Sequence, residues 1–231
     1  GRFHMVWLDS REGKQALRYT HSTDGGLTWS RNETIDPETC ECCSNALAVK
    51  GDALVVLYRD KDPRDMAMAV KPADSPWQPV GPVVRFNWDF QGCPHVGGGV
   101  AITGSGNDRT VHTLTWTGAD AKAGVYYTKA DESQRAWAEP RMLATGKATH
   151  PDLAATDSGR VAAVWSGLGD SSGIFVSTLE NPEEEWEEPT RLSIKEVEAS
   201  HPRVIPTGSG FRVFWTETMA DGSSRWASAE V

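Results

Sequence analysis

The chain has 231 residues, 39% of them hydrophobic and 24% charged, so it is long enough to bury a sizeable core. Its formal net charge of −9 argues against nucleic acid as a partner, because binding the phosphate backbone needs clustered lysine and arginine. No segment approaches the roughly 20 consecutive apolar residues of a transmembrane helix, so we expect no membrane span.

Five short segments along the chain are apolar and end in an aromatic residue. They occupy residues 3–7, 54–58, 111–116, 161–165 and 211–215. Their terminal aromatic residues are separated by 51, 58, 49 and 50 positions, a period that suits one four-stranded propeller blade with its loops. The aromatic residues expected at equivalent positions are Trp7, Tyr58, Trp116, Trp165 and Trp215.

Further strand patterns surround these five segments. A strand follows each of them, at residues 16–21, 66–70, 124–128, 173–178 and 225–230, and an innermost strand precedes four of them, at 45–50, 96–103, 152–156 and 203–207. We therefore expect an all-β fold, a β-propeller of four-stranded antiparallel blades, with about five blades represented and the first and last incomplete. Residues 1–231 are expected to form a single propeller domain that lacks part of its N-terminal region.

The turn of residues 22–29 carries the motif Ser-x-Asp-x-Gly-x-Thr-Trp, formed here by Ser22, Asp24, Gly26 and Trp29. This is the pattern of the Asp-box, a β-hairpin motif of propellers. The acidic side chain bonds the backbone of its own turn, glycine adopts a positive φ angle, and tryptophan covers the hairpin. Each residue type has a mechanical role, so we interpret the motif as structural.

Two loops contain all four cysteines, which are Cys40, Cys42, Cys43 and Cys93. Each loop joins the outermost strand of one blade to the innermost strand of the next, so adjacent blades bring both loops to one face. If the protein is exported, an even number of cysteines favours two disulfides, one of them joining Cys93 to Cys42 or Cys43. The alternative is coordination of copper or zinc by the thiolates, with His95 beside Cys93.

Three of the six histidines, His95, His150 and His201, share one place in consecutive repeats, at the start of an innermost strand. Innermost strands line the central channel, so these rings are candidates to converge on a metal ion or an anionic ligand. The alternative is that histidine and proline simply begin the strand. Zinc or copper would suit the histidines and cysteines, whereas calcium would need an acidic site such as the glutamate-rich residues 183–188.

With the Asp-box and the cysteine loops, residues 58–60, 64–66 and 92–94 resemble exported bacterial proteins of the sialidase superfamily that carry BNR/Asp-box repeats. The resemblance covers essentially the whole chain. It implies a β-propeller in a bacterial extracytoplasmic compartment, periplasmic or secreted. Sialidases of this superfamily hold the sugar carboxylate with three arginines and use a tyrosine nucleophile, a glutamate and an aspartate acid/base. The Phe/Tyr-Arg-Ile-Pro segment that supplies their first arginine is not found in this chain.

The resemblance places an active site on the face opposite the Asp-box turns, where the loops hold Arg59, Asp60, Arg64 and Asp65. Guanidinium groups pair with carboxylates, so this set is a candidate to bind a carboxylated sugar; the alternative is that the four residues pair with each other and stiffen the loops. No tyrosine–glutamate pair can be assigned to partner them.

These observations leave two classes of function. The first is a non-catalytic extracytoplasmic propeller that serves as a binding or assembly module, such as an accessory subunit of a larger complex, with a protein partner or a glycan on the face opposite the Asp-box turns. The second is an exo-α-sialidase-like glycoside hydrolase that acts on exposed glycans. A fold hosts many functions, so the site decides between them.

Overall fold

The computed structural model describes residues 1–73, 75–131, 136–181 and 185–231. The chain is 53% strand, and its described part has two short 3-10 turns and no α-helix. In the same part of the chain, no helix has the length and apolar character needed to cross a bilayer. The glutamate-rich residues 183–188, considered above for calcium, fall partly outside the described ranges.

Within the described ranges, the strands form five antiparallel sheets, which we number as blades 1 to 5. Strands follow one another across each sheet in chain order. Blades 2, 3 and 4 have four strands each, and blades 1 and 5 have three. The all-β propeller class, with incomplete first and last blades, is therefore confirmed.

The strand bounds are as follows. Blade 1 contains β1 (Phe3–Asp9), β2 (Ala16–Ser22) and β3 (Glu33–Asp36). Blade 2 contains β4 (Ala46–Lys50), β5 (Ala53–Arg59), β6 (Met66–Lys71) and β7 (Gln78–Pro82). Blade 3 contains β8 (Gly99–Thr103), β9 (Thr110–Thr117), β10 (Gly124–Asp131) and β11 (Arg141–Thr145). Blade 4 contains β12 (Ala148–Ala155), β13 (Val161–Gly167), β14 (Gly173–Leu179) and β15 (Thr190–Arg191), and blade 5 contains β16 (Glu198–Pro206), β17 (Phe211–Thr218) and β18 (Ser224–Glu230).

The five aromatic residues that end the apolar segments do occupy equivalent places. They lie in the C-terminal halves of β1, β5, β9, β13 and β17, which are the strands next to the innermost position of each blade. Each of them pairs with a residue of the next strand outward. The pairs are Trp7 with Arg18, Tyr58 with Ala67, Trp116 with Val125, Trp165 with Phe175, and Trp215 with Ala227.

Four clusters of buried apolar side chains lie between successive blades and form the core. The position of β5 between two of these clusters explains why its sequence is continuously apolar. Val56 and Tyr58 face the cluster shared with blade 1, whereas Val55 and Leu57 face the cluster shared with blade 3. Alternate residues of a strand point to opposite faces, so a blade buried on both faces needs apolar residues at every position.

Tryptophans from the outer hairpins join neighbouring blades. Trp77 of blade 2 packs edge-on against Tyr19 of blade 1, with ring centroids 5.1 Å apart. Trp186 of blade 4 repeats this contact against Tyr127 of blade 3 at 4.9 Å. Edge-to-face pairs at such distances are favourable beyond their burial, so these contacts hold the blades in register.

The turn of residues 22–29 is held by its own side chains. The carboxylate of Asp24 accepts hydrogen bonds from the Thr28 amide at 2.9 Å and the Thr28 hydroxyl at 2.6 Å. The Ser22 hydroxyl accepts the Gly26 amide at 2.9 Å, and the Trp29 indole donates to the Gly26 carbonyl at 3.1 Å. Gly26 has a φ of +92°, which glycine adopts without strain. All these partners belong to the turn, in keeping with a structural motif.

Candidate functional site: a thiol cluster between two blades

The two cysteine loops meet, as their places in the blade repeat predict. Residues 40–43 lie between β3 and β4, and residues 93–95 lie between β7 and β8. The amide of Cys40 donates to the Arg59 carbonyl at 3.1 Å, which fixes the first loop to the end of β5. An added Cβ at Gly97 would lie 2.3 Å from the Ser44 carbonyl oxygen. Glycine at this position therefore permits the close approach of the second loop.

The four sulfur atoms and one imidazole form two overlapping groups of donors. The donor atoms of Cys40, Cys42 and Cys43 all lie within 4.8 Å of one another, and so do those of Cys42, Cys93 and His95. Cys42 belongs to both groups. We call these five residues the thiol cluster, with Cys40, Cys42 and Cys43 as its inner set and Cys42, Cys93 and His95 as its outer set.

The two sets differ in exposure. Cys40 and Cys43 are 1% and 3% exposed, Cys42 is half-buried, and Cys93 and His95 are exposed. The sulfur of Cys40 lies 3.3 Å from that of Cys43 and 3.8 Å from that of Cys42. A disulfide bond is about 2.05 Å long. All four cysteines are free in the structure, so the two bridges expected from the sequence are not seen.

Neighbouring groups divide the thiols into one acidic and two weakly acidic members. Hydrogen bonds with Cys43 and Cys42, and one donated by Arg64 at 3.1 Å, lower the pKa of Cys40 to about 4 despite its burial. Burial raises the pKa of Cys42 to about 11. The hydrogen bond with Cys40, together with burial, raises the pKa of Cys43. Within the inner set, the surroundings therefore favour the thiolate form most at Cys40.

Arg59 is buried beside the inner set and is only 1% exposed. Its guanidinium donates to the Val96 carbonyl at 3.0 and 3.2 Å, to the Trp116 carbonyl at 2.9 Å, and to the Arg64 carbonyl. It also lies 5.3 Å from the centroid of Trp88 and 5.8 Å from that of Trp116, which are distances for cation–π contacts. Arg59 thus joins β5 to blade 3 and to the outer-set loop.

The other candidates for a sugar site also hold loops in place. Arg64 is buried and donates to the Phe90 carbonyl at 2.9 Å, in addition to Cys40 and the Glu41 carboxylate at 3.0 Å. Asp65 is buried and accepts the amides of Asn87 and Trp88 at 2.8 and 3.3 Å.

Asp60 pairs through its backbone with Thr39, and burial raises the pKa of its carboxyl group. Arg59 and Arg64 thus donate to backbone carbonyls and to the sulfur of Cys40.

The three histidines separate into a pair and a single residue. The rings of His150 and His201 have centroids 4.0 Å apart, whereas His95 joins Cys42 and Cys93. All three have a left-handed backbone, with φ of +56°, +50° and +55° for His95, His150 and His201. Burial lowers the pKa of His150 to about 4, and its Nδ1 is buried without a hydrogen-bond partner.

The shared histidine register expected from the sequence needs a correction. The reference point in each blade is the innermost-strand residue whose partner lies two positions before the blade's aromatic residue. In blades 4 and 5 these residues are Leu153 and Val204, and His150 and His201 lie three residues before them. His95 lies four residues before the matching Gly99, so the outer-set loop contains one extra residue. In addition, β12 and β16 begin before their histidines, which sit at a bulge rather than at the strand entry.

Sequence reasoning missed the contacts that the charged residues make with the thiol cluster. It placed the arginines on an open face, whereas Arg59 and Arg64 turn inward onto Cys43 and Cys40. The available signal was the position of Arg59, which directly follows the buried apolar run of β5. A charge at the end of a doubly buried strand needs buried partners.

Comparison with known proteins supports the fold. No protein-family model and no curated protein matches the chain. Among solved structures, a leech intramolecular trans-sialidase superposes with a TM-score of 0.59 at 11% identity, covering 94% of this chain and 36% of the enzyme. The intramolecular trans-sialidase of Ruminococcus gnavus gives 0.58 at 12% identity, covering 94% and 51%.

A six-bladed fungal lectin from Aleuria aurantia, which recognises fucose, gives a TM-score of 0.59 at 10% identity, covering 97% of this chain and 73% of the lectin. The chain spans about a third to a half of the length of the two sialidases. At these identities the likeness shows the fold: that of β-propellers whose known members include sialidases and family 43 glycoside hydrolases.

Proposed function

We propose that this propeller is a non-catalytic binding module whose functional site is the thiol cluster, and that the cluster binds one thiophilic metal ion, Cu⁺ or Zn²⁺. The observation that carries the proposal is the convergence of four free thiols and one imidazole from two separate loops. Thiolate and imidazole are the ligands these ions prefer, whereas calcium requires oxygen ligands.

The sulfur positions suit a metal ion. With metal–sulfur bonds of about 2.3 Å, two sulfur atoms on one ion lie about 3.8 Å apart in tetrahedral geometry and about 4.0 Å apart in trigonal geometry. The sulfurs of Cys40 and Cys42 are 3.8 Å apart. The 3.3 Å between Cys40 and Cys43 requires these two sulfurs to move apart by about 0.5 Å for tetrahedral and about 0.7 Å for trigonal geometry. Side-chain rotation supplies such a movement.

The surroundings offset the charge of a metal–thiolate complex. Three thiolates on Cu⁺ carry a net charge of −2, which is costly to bury unless it is paired. Arg64 contacts Cys40 directly, and Arg59 lies against Cys43. These guanidiniums favour the thiolate forms of the cysteines.

The module belongs, in this proposal, to an extracytoplasmic bacterial compartment, as the resemblance to exported Asp-box proteins implies. Its rigid blades present a protein partner or a glycan with a broad face opposite the Asp-box turn. In an oxidising compartment the metal and the expected disulfides compete for the same sulfurs. Bound metal would preserve the free thiols.

Metal titration with thiol counting tests the proposal. We expect the reduced protein to bind one Cu⁺ or Zn²⁺ per chain and to lose thiol reactivity when loaded. Replacing a residue that only holds a metal ligand in place costs about 10–100-fold in metal affinity, so Cys42→Ser, which removes the ligand common to both sets, should cost at least that much.

His95→Ala should weaken the outer set, whereas His201→Ala is its matched control: both histidines are exposed and have nearly the same positive φ. A reduced, folded wild-type protein that binds neither ion would refute the proposal. Protein isolated with two disulfides that re-form in the presence of metal would favour the structural role of the cysteines instead.

Glycan binding or hydrolysis is the second candidate, favoured by the sialidase, glycoside hydrolase and lectin folds among the structural neighbours. An exo-α-sialidase-like enzyme would release sialic acid from a fluorogenic sialoside. We expect no release, because Arg59 and Arg64 are committed to internal contacts. Turnover that survives metal removal and disappears in Asp60→Asn would establish the hydrolase instead.

A further inference from the structure

The inner and outer sets of the thiol cluster share a ligand and differ in access to solvent. We propose that the outer set accepts Cu⁺ from a carrier and passes it to the inner set by ligand exchange around Cys42, which remains bound throughout. This inference rests on the proposed function and assigns the two sets separate roles, in uptake and in retention.

Burial makes the outer set the point of arrival. Cys40 and Cys43 are almost fully buried, and the guanidinium of Arg64 lies against Cys40 and is itself held by the Glu41 carboxylate. Cys93 and His95 are exposed, so a carrier can reach them while still holding its ion. A copper ion therefore meets the outer set before it meets the buried pair.

The donor count favours Cu⁺ as the cargo. Within the described residues the donors group in threes, and each set offers three. Structural Zn²⁺ sites almost always have four protein ligands, whereas soft thiolates select Cu⁺. Three sulfurs therefore give Cu⁺ a complete trigonal site, while Zn²⁺ would keep an open position.

The transfer balances without any redox change. Copper begins on the thiolates of Cys42 and Cys93 and on a ring nitrogen of His95. The bond to His95 breaks as the Cys40 thiolate bonds to copper, 3.8 Å from the sulfur of Cys42. The bond to Cys93 then breaks as Cys43 binds. One proton leaves the Cys43 thiol and one is taken up by the Cys93 thiolate through water, and copper stays Cu⁺.

The direction of transfer follows from the ligands. The outer set supplies two sulfurs and one nitrogen, and the inner set supplies three sulfurs, which a soft ion prefers. Arg59 and Arg64 lie against the inner sulfurs and stabilise the negative charge that the third thiolate adds. Retention at the inner set is therefore favoured over retention at the outer set.

Stopped-flow transfer from the coloured Cu⁺–bicinchoninate complex tests the inference. The wild type is compared with a Cys93→Ser/His95→Ala variant, with Cys43→Ser, and with His201→Ala as control. We expect the outer-set variant to take up copper at least about tenfold more slowly, equivalent to about 1.4 kcal/mol in the barrier, while still binding one ion. Its final affinity should stay within about threefold of the wild type, which is under 1 kcal/mol.

Cys43→Ser should show the opposite pattern, with fast uptake and an affinity at least about tenfold lower. An outer-set variant that loads as fast as the wild type would overturn the relay and leave the metal-binding proposal standing. So would a variant that loses as much affinity as Cys43→Ser, because the outer set would then be the storage site. Wild type that binds Zn²⁺ but not Cu⁺ would overturn the relay alone, and wild type that binds neither would overturn both proposals.

Discussion

Replacing Arg59 by methionine should destabilise the protein strongly, even though the new side chain is apolar and of similar length. The substitution leaves the carbonyls of Val96, Trp116 and Arg64 without their donor. Each unpaired buried acceptor costs about 1–3 kcal/mol, and the lost cation–π contacts add about 1–2 kcal/mol. We therefore expect a loss of at least about 4 kcal/mol, a large part of the about 5–15 kcal/mol that typical domains possess.

Urea unfolding followed by tryptophan fluorescence measures this loss. Arg31→Met, at an exposed position, is the matched control and should change the free energy of unfolding by less than about 0.5 kcal/mol. Arg59→Lys should recover only part of the loss, because an ammonium group lacks the planar fork that reaches three carbonyls. If Arg59→Met unfolds within about 1 kcal/mol of Arg31→Met, the guanidinium does not hold the blades as described.

Three further predictions concern the blades and their turns. Gly99→Ala should destabilise the protein by about 1–3 kcal/mol in urea unfolding, because the new Cβ would lie 2.3 Å from the Leu153 amide, whereas Gly208→Ala, with open space around it, should be nearly neutral. Burial lowers the pKa of His112 to about 4, so below about pH 6.5 the unfolded chain binds more protons than the folded protein. The contribution of His112 to the free energy of unfolding should be complete above that pH and fall by about 3 kcal/mol towards pH 4. In His112→Gln this part of the pH dependence should be absent. Asp24→Ala removes the acceptor of both Thr28 hydrogen bonds and should speed proteolytic cleavage in the 22–29 turn without changing the overall circular dichroism spectrum.

The blade repeat was predictable from the sequence because burial on both faces leaves a clear pattern. Strand β5 is apolar at successive positions, and its sides contact two different clusters. The spacing of the aromatic residues then gives the blade period. The start of β12 and of β16 was not predictable, since both strands continue through a proline at a bulge, where the usual end signal is overridden by pairing with the next strand.

The meeting of the two cysteine loops was also predictable, but its chemistry was not. Blade order places Cys93 near Cys42, and the structure has them in one donor group. Whether two sulfurs bond, or lie 3.3 Å apart as in Cys40 and Cys43, depends on displacements of about an ångström. Residue spacing along a chain carries no information at that scale.

Burial, rather than residue type, separates the two interpretations of the charged loop residues. Arginine and aspartate at the ends of propeller strands suit a carboxylate-binding site when their polar atoms face an open cleft. In this chain Arg59 and Arg64 donate to backbone carbonyls and to the sulfur of Cys40, and the carboxylate of Asp65 accepts two backbone amides. These contacts fix the positions of the loops that carry the thiols. Residue types that suit a sugar site on an open face are therefore also suited, when buried, to holding loops and contacting a thiol.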